Sequence, residues 1–286
     1  MTSEEHRFLA LEQWREACSH EANYLLEPTA RNTAPALTLA ALAALETGLD
    51  PVLVVSPSDQ VIANTAEFVR VTRLAAEQAQ QGKMVIFGVP PDRPETGYGY
   101  IQISSGPKDG IHPVERFVEK PDLATAESYL ANGLFFWNAG LFVLKASVWL
   151  SALGRYRPDV WTATQSAWQL RSQDQRFFRP DRVLFERVPS DSIDYAVMEK
   201  CQRQDFDLRM MLGQGPILEL ANIAAGRIEL TAQLLGHIKP GFCASNYFRV
   251  LDLLAKDCPG ELAHTFLVFK QTPDPRIDRL KRVNDL

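Results

Sequence analysis

A chain of 286 residues with 46% hydrophobic and 23% charged residues can bury one large core, and this balance excludes wholesale disorder. A net charge of −5 and a pI near 5.6 give no basic footprint for nucleic acid. No run of about 18 apolar residues is present to span a bilayer, and MTSEEHRFLALEQWREACSH is not a signal peptide, so a soluble, cytoplasmic protein without a membrane partner is expected.

The elements follow in chain order. Residues 4–17 carry Phe8, Leu9, Leu11 and Trp14 at helical spacing. NYLLE (23–27) reads as a short strand and 34–47 as a helix that is apolar on nearly every side, which requires cover from a sheet and neighbouring helices. PVLVVS (51–56) is a β-branched run between two prolines, the pattern of a buried parallel strand. A helix over 61–80 and a strand KMVIFG (83–88) follow, so the rhythm is that of an α/β domain with a mostly parallel sheet and helices on both faces. Residues 90–104 are rich in Pro and Gly. A strand ending at Glu119-Lys120-Pro121 leads to a helix opened by Asp122, and GLFFWNAGLFVLKAS (133–147) looks hairpin-like around Asn138. Helices are expected near 147–153 and 158–171, and PSDSIDYAVMEK (189–200) as a capped short helix. Residues 202–286 form a partly helical tail that these patterns leave unassigned, with the domain boundary expected at 201.

Several positions bear chemistry, each with a plain alternative. Asn32 or Thr33 suits the N-cap of the apolar helix, with Pro35 in its first turn, yet capping leaves Glu27 and Arg31 unexplained. Loops leaving the carboxyl ends of strands are where open α/β sheets bind ligands. Asp59 stands just past such an end. It either caps the next helix or supplies a carboxylate to Mg²⁺, which takes one or two protein carboxylates and completes its octahedron with phosphates and water. Gly97 and Gly99 around Tyr98 form a tight turn or let the backbone approach a ligand. Glu119 and Lys120 are a solvated pair, or an acceptor for sugar hydroxyls beside a phosphate ligand. Asn138 is a turn residue or an amide reading a hydroxyl. The four cysteines, Cys18, Cys201, Cys243 and Cys258, form no CxxC pair, and neither HExxH, GxSxG nor GxxxxGK[ST] occurs.

Taken in order, EPTARNTAPAL (27–37), SPSDQVI (56–62), DRPETGYGYI (92–101), VERFVEKPD (114–122), WNAGLFVLKAS (137–147) and SIDYAVMEK (192–200) resemble the mannose-1-phosphate guanylyltransferases, particularly the bacterial type often fused to a phosphomannose isomerase domain. The resemblance covers about residues 1–201. It implies a Rossmann-like α/β nucleotidyltransferase fold joining GTP and mannose 1-phosphate into GDP-mannose and diphosphate with Mg²⁺. By the same resemblance, Glu27, Arg31, Asn32 and Thr33 lie on the nucleotide side, and Asp59 is a metal ligand and catalytic residue. Gly97, Tyr98, Gly99, Glu119 and Asn138 face the sugar, and Lys120, also catalytic, binds the sugar phosphate. Assembly as a homo-oligomer is left open. The family pattern opens with a glycine-rich loop and carries a second metal aspartate in a Trp-Asp-Val-Gly-Ser-Trp stretch; neither is found here, so an N-terminally incomplete domain of impaired activity is expected. The alternatives are a non-catalytic sugar-phosphate-binding relative, a truncated remnant, and a transferase for another sugar 1-phosphate.

Overall fold

The computed structural model describes residues 1–18, 21–57, 61–62, 64–104, 110–201, 205–214 and 218–219. Their elements are β1 (Thr2–Ser3), α1 (Arg7–Ala17), β2 (Tyr24–Glu27), α2 (Thr33–Leu45), β3 (Val52–Val55), β4 (Val61–Ile62), α3 (Thr65–Gln80), β5 (Met84–Val89), β6 (Tyr100–Ile103) and β7 (Gly110–Val118). There follow α4 (Leu123–Asn132), β8 (Phe135–Lys145), α5 (Ala146–Tyr156), α6 (Pro158–Gln169), β9 (Ser172–Asp174), β10 (Phe177–Arg179), α7 (Arg182–Phe185), a π-helical turn (Asp194–Met198), β11 (Leu208–Leu212) and β12 (Leu218–Glu219).

The main sheet has the strand order β3-β8-β5-β11-β7-β6, and a smaller one the order β1-β2-β10-β9. Helices cover both faces of the main sheet, as the period-2 alternation of its strands requires. Leu53, Val55, Ile86, Phe142 and Leu144 point toward α2, α5 and α6, whereas Val52, Val54, Val85, Phe87 and Val143 point toward α3. Fully burying each such side chain contributes about 1.5–3 kcal/mol.

The sheet is mixed rather than mostly parallel. β3 and β5 do run in the same direction, as the strand-helix-strand rhythm implies. They are not neighbours, because β8 lies between them antiparallel to both. Among the described residues, β5 with β11 is the parallel pairing of this sheet. The hairpin expected over 133–147 is likewise replaced by one continuous strand, β8. Its apolar run is long enough to reach both β5 and β6, and strand pairing on both sides outweighs the local polar break at Asn138.

α2 meets its expectation. It is apolar all round, and nine of its residues, Ala34 to Ala41 and Ala44, are buried against α5, α6 and β2. The helix expected over 4–17 also forms as α1, yet none of its residues is buried and Phe8 and Leu9 remain half exposed. Phe8 meets the edge of Phe177 at 6.3 Å.

The main sheet does not end at residue 201. β11 inserts between β5 and β7, with Met210 opposite both Ile86 and His112, so the main sheet reaches at least Leu212. A five-residue strand buried on both faces shows too little periodicity to be distinguished from a short helix by pattern. Residues 220–286, which make up most of the tail, lie outside the described residues.

Candidate functional site

The candidate site is assembled where β7 ends, β8 bulges and the π-helical turn begins. Opposite β8, Ile86 pairs with Phe142 but Gly88 pairs with Asn138, so β8 accommodates extra residues between these pairs. Gly140 adopts the left-handed conformation at φ 69° that this irregularity requires. The Asn138 side chain closes the bulge by accepting a hydrogen bond from Gly140 N–H at 3.0 Å, and its amide nitrogen donates to Asp194 Oδ1 at 2.8 Å. Both readings of Asn138, as a turn residue and as a site amide, are therefore geometrically compatible.

Glu119 sits just beyond β7 with its side chain only 6% exposed. Its Oε1 accepts from Lys120 Nζ, while Oε2 is buried and has no hydrogen-bond partner. Its backbone N–H donates to Glu199 Oε1 at 3.3 Å. Lys120 occupies the left-handed region at φ 47°, a sparsely populated conformation for a lysine and one that the following Pro121 further restricts. The half-exposed ammonium lies 5.7 Å from the centre of the Tyr195 ring. Desolvation lowers its pKa, but the hydrogen bond and charge of Glu119 outweigh that and hold it above the ordinary lysine value. Lys120 is therefore a fixed cation at neutral pH.

Gly99 faces this pair across the β6 edge. A Cβ there would lie 2.4 Å from Glu119 Oε2 and 3.0 Å from the Phe117 ring, so a side chain would displace the carboxylate. The Gly99 carbonyl also accepts from Asn138 N–H at 2.8 Å. Gly97 is exposed and bonded to Glu95, and Tyr98 packs edge-on against Trp137 at 5.4 Å. The turn expected over 97–99 thus holds Gly99 closely and leaves Gly97 open.

Asp194 was not singled out by the sequence, although its motif was. Desolvation raises its pKa to about 7, with repulsion from Glu119 adding to the rise and Lys120 and the Asn138 hydrogen bond opposing it. A carboxyl whose pKa is raised on folding contributes stability below its unfolded value near 4. That contribution is lost as pH rises through about 7. Asp194→Asn is therefore expected to match wild type near pH 4 and to melt higher than wild type at pH 8, by an amount on the order of a few kcal/mol. Thermal melts of both proteins across this range check it, and a pH-independent difference would remove the buried-charge explanation.

The nucleotide-side candidates occupy the turn between β2 and α2. Glu27 is buried at the end of β2. Asn32, at φ 69°, caps α2 by accepting from Thr33 N–H at 2.9 Å. Arg31 donates to the Glu186 carbonyl, Thr33 Oγ1 accepts from Ile193 N–H at 2.9 Å, and Ala34 N–H donates to the Asp191 carbonyl at 3.0 Å. This turn is thereby fastened to the segment that leads into Asp194, and the two halves of the candidate site share one support. Asp59 lies outside the described residues. The preceding Pro57 packs near Gly140, 3.4 Å from where a Cβ would stand.

A buried acceptor without a partner, a second carboxylate, an oriented amide and a fixed cation can bind a small molecule with several hydroxyls and an anionic group. Among the described residues no three or more His, Cys, Asp or Glu side chains converge as a metal site, and no helix is long and apolar enough to cross a membrane.

Comparison with known proteins fits this arrangement. The chain is 50% identical over 200 residues to the xanthan biosynthesis protein XanB of Xanthomonas campestris pv. campestris (strain B100), covering 70% of this chain and 42% of that protein. It is 44% identical over 204 residues to the mannose-1-phosphate guanylyltransferase of Escherichia coli (strain K12), covering 69% and 43% respectively. The chain thus spans less than half the length of these two relatives. Among solved structures, a mannose-6-phosphate isomerase from Helicobacter pylori matches with a TM-score of 0.65 and 31% identity, over 73% of this chain and 80% of that one. The nucleotidyl transferase family model matches residues 1–183. With well over half of its length matched in this way, the chain belongs to the nucleotidyl transferase family.

Proposed function

We propose that the chain carries the substrate-binding part of a mannose-1-phosphate guanylyltransferase, which joins GTP and mannose 1-phosphate into GDP-mannose and diphosphate. The observation that carries this reading is the cluster of Glu119, Asn138 and Asp194 beside Lys120. Its buried, unpartnered Glu119 Oε2 is an acceptor for hydroxyl donors, and its cation stands ready for a phosphate. Support also comes from the 44% identity to a protein named for this activity. The name of the matched solved structure likewise concerns a mannose phosphate.

In this reading Glu119 accepts from sugar hydroxyls, Asn138 donates to one, and the backbone at Gly97, Tyr98 and Gly99 borders the ring. Lys120 neutralises the sugar phosphate. Glu27 accepts from guanine N–H groups, and Arg31, Asn32 and Thr33 border the nucleotide. A phosphate oxygen of the sugar attacks the α-phosphorus of GTP, and the bond to the departing diphosphate breaks. Such a transfer requires positioning and charge neutralisation rather than a protein nucleophile.

Mg²⁺, when bound, neutralises phosphate oxygens. Asp59 is the proposed ligand. An ion that takes one or two protein carboxylates and otherwise phosphate and water is compatible with the absence of a three-residue acidic or histidine cluster among the described residues.

The test is incubation of the purified full chain with GTP, mannose 1-phosphate and Mg²⁺, combined with thermal melts in each ligand. Stabilisation by mannose 1-phosphate is the expected result, and any GDP-mannose formed is expected to be lost in Asp59→Ala. A ligand at 100 times its Kd stabilises the folded state by about 2.7 kcal/mol, enough to be seen in the melt. No product and no stabilisation by either substrate would sink the proposal, and interconversion of mannose phosphates without nucleotide would redirect it.

A further inference from the structure

We propose that Asp194 is a positioning residue of the sugar subsite, fixing which way the Asn138 side-chain amide faces and therefore which hydrogen bonds it offers a sugar phosphate. This inference rests on the functional reading above and adds to it a residue which that reading did not assign a role.

The argument begins with the amide. A carboxamide has two N–H donors on one end and an acceptor with two lone pairs on the other, and its two flips are nearly equal in shape. Asn138 is flanked by one neighbour of each kind. Asp194 Oδ1 lies 2.8 Å from its nitrogen, and Gly140 N–H donates to its oxygen at 3.0 Å. Reversing the amide would set oxygen against carboxylate and N–H against N–H. Both neighbours therefore select the same flip, and above about pH 7, where Asp194 is ionised, its bond is the stronger because a carboxylate acceptor makes it charge-assisted. One N–H and one lone pair of Asn138 remain for a ligand.

Asp194 can act in this way because its own position is secured. It opens the π-helical turn, in which Glu199 N–H donates to the Asp194 carbonyl at 2.9 Å. Single π turns of this kind occur frequently at functional sites. The residue before it donates its N–H to Thr33 Oγ1 at the start of α2. An independent observation points to a ligand in the same place: Glu119, the carboxylate that Asp194 senses electrostatically, buries Oε2 with no protein partner. One acceptor thus awaits a donor beside an amide whose direction is already set. A polyol phosphate meets both requirements.

Two measurements on the chain test this. The first is the side-chain amide region of a ¹⁵N–¹H spectrum, with the Asn138 pair identified by its loss in Asn138→Ser. The second is calorimetric titration with mannose 1-phosphate and, separately, GTP. Asp194→Ala is expected to move the Asn138 pair toward the shifts of a solvated amide and to weaken mannose 1-phosphate at least tenfold, with GTP affinity within about twofold of wild type. Asp194→Asn, which keeps a carbonyl acceptor, is expected to retain the wild-type Asn138 pattern and at least a third of the sugar-phosphate affinity. Unchanged Asn138 signals in a folded Asp194→Ala protein, or equal binding by it, would overturn the inference and leave the functional reading standing. Asp194→Asn failing as badly as Asp194→Ala would do the same. Should Asp194→Ala not fold, the Asn138 signals in Asp194→Asn decide, retained supporting and collapsed overturning. Wild type that binds no mannose 1-phosphate overturns the functional reading, and the ligand role of Asp194 with it.

Discussion

Replacing Glu119 with alanine is expected to weaken mannose 1-phosphate binding by roughly 30- to 1000-fold, on the basis of about 2–4 kcal/mol from hydrogen bonds to a charged acceptor. The Glu119 side chain is only 6% exposed, so Oε2 has little access to bulk solvent and a ligand donor there meets little competition from it. The alanine protein also frees Lys120, whose ammonium would lose the carboxylate that orients it. Two effects then act in one direction: hydroxyl donors lose their acceptor, and the phosphate meets a less directed cation. Stability should change little or improve, because the variant removes a buried carboxylate with an unmet acceptor and relieves the repulsion felt by Asp194. Calorimetric titration alongside a thermal melt separates the two. An affinity within threefold of wild type would remove Glu119 from the sugar subsite.

The second large effect concerns the support of the site rather than its ligand contacts. Trp149→Ala is expected to cost about 3–5 kcal/mol and to lower Tm by roughly 6–20 °C. Trp149 on α5 is completely buried, and its Nε1–H donates to Thr38 Oγ1 on α2 at 3.0 Å. Truncation opens a cavity against α2 and removes that bond. The Thr38 hydroxyl keeps its own acceptor, the Ala34 carbonyl at 2.7 Å, so no buried donor is orphaned and cavity formation dominates the loss. Because α2 begins at Thr33, which holds Ile193, loosening this helix pair should also weaken ligand binding at temperatures where the protein is still folded. Urea unfolding measures the first effect, and a loss below 1 kcal/mol would mean that the site relaxes around the smaller side chain.

Much of this molecule is legible in the sequence, and the legible part shares one physical character: it is local. Continuous burial of Val52–Val55 follows from an unbroken apolar, Val-rich run, and the cover over α2 follows from a helix with no polar side. Asn32 and Asp122 at their helix caps follow from the need to satisfy N–H groups at a helix start. Six motifs in order were enough to indicate the transferase family, to which residues 1–183 conform.

Tertiary structure decided what depends on partners distant in the chain. Strand neighbours are selected by packing and by hydrogen bonds across the whole sheet, so the rhythm of β3, α3 and β5 could not reveal that β8 would enter between them in reverse. For the same reason a short apolar strand, β11, could not be assigned to the sheet it completes. The candidate site depends even more on such contacts. Glu119 gained its close packing beside Gly99 from the pairing of β6 with β7, and its contact with Glu199, eighty residues later, from the residue that follows the π-helical turn. Asp194 stands in a motif readable from sequence, but its role came from a bond to Asn138, 56 residues away. The sequence determined which residue types were available and which segments would be buried. Only the fold decided which carboxylate would face which amide, because that depends on how separate strands and turns are brought side by side.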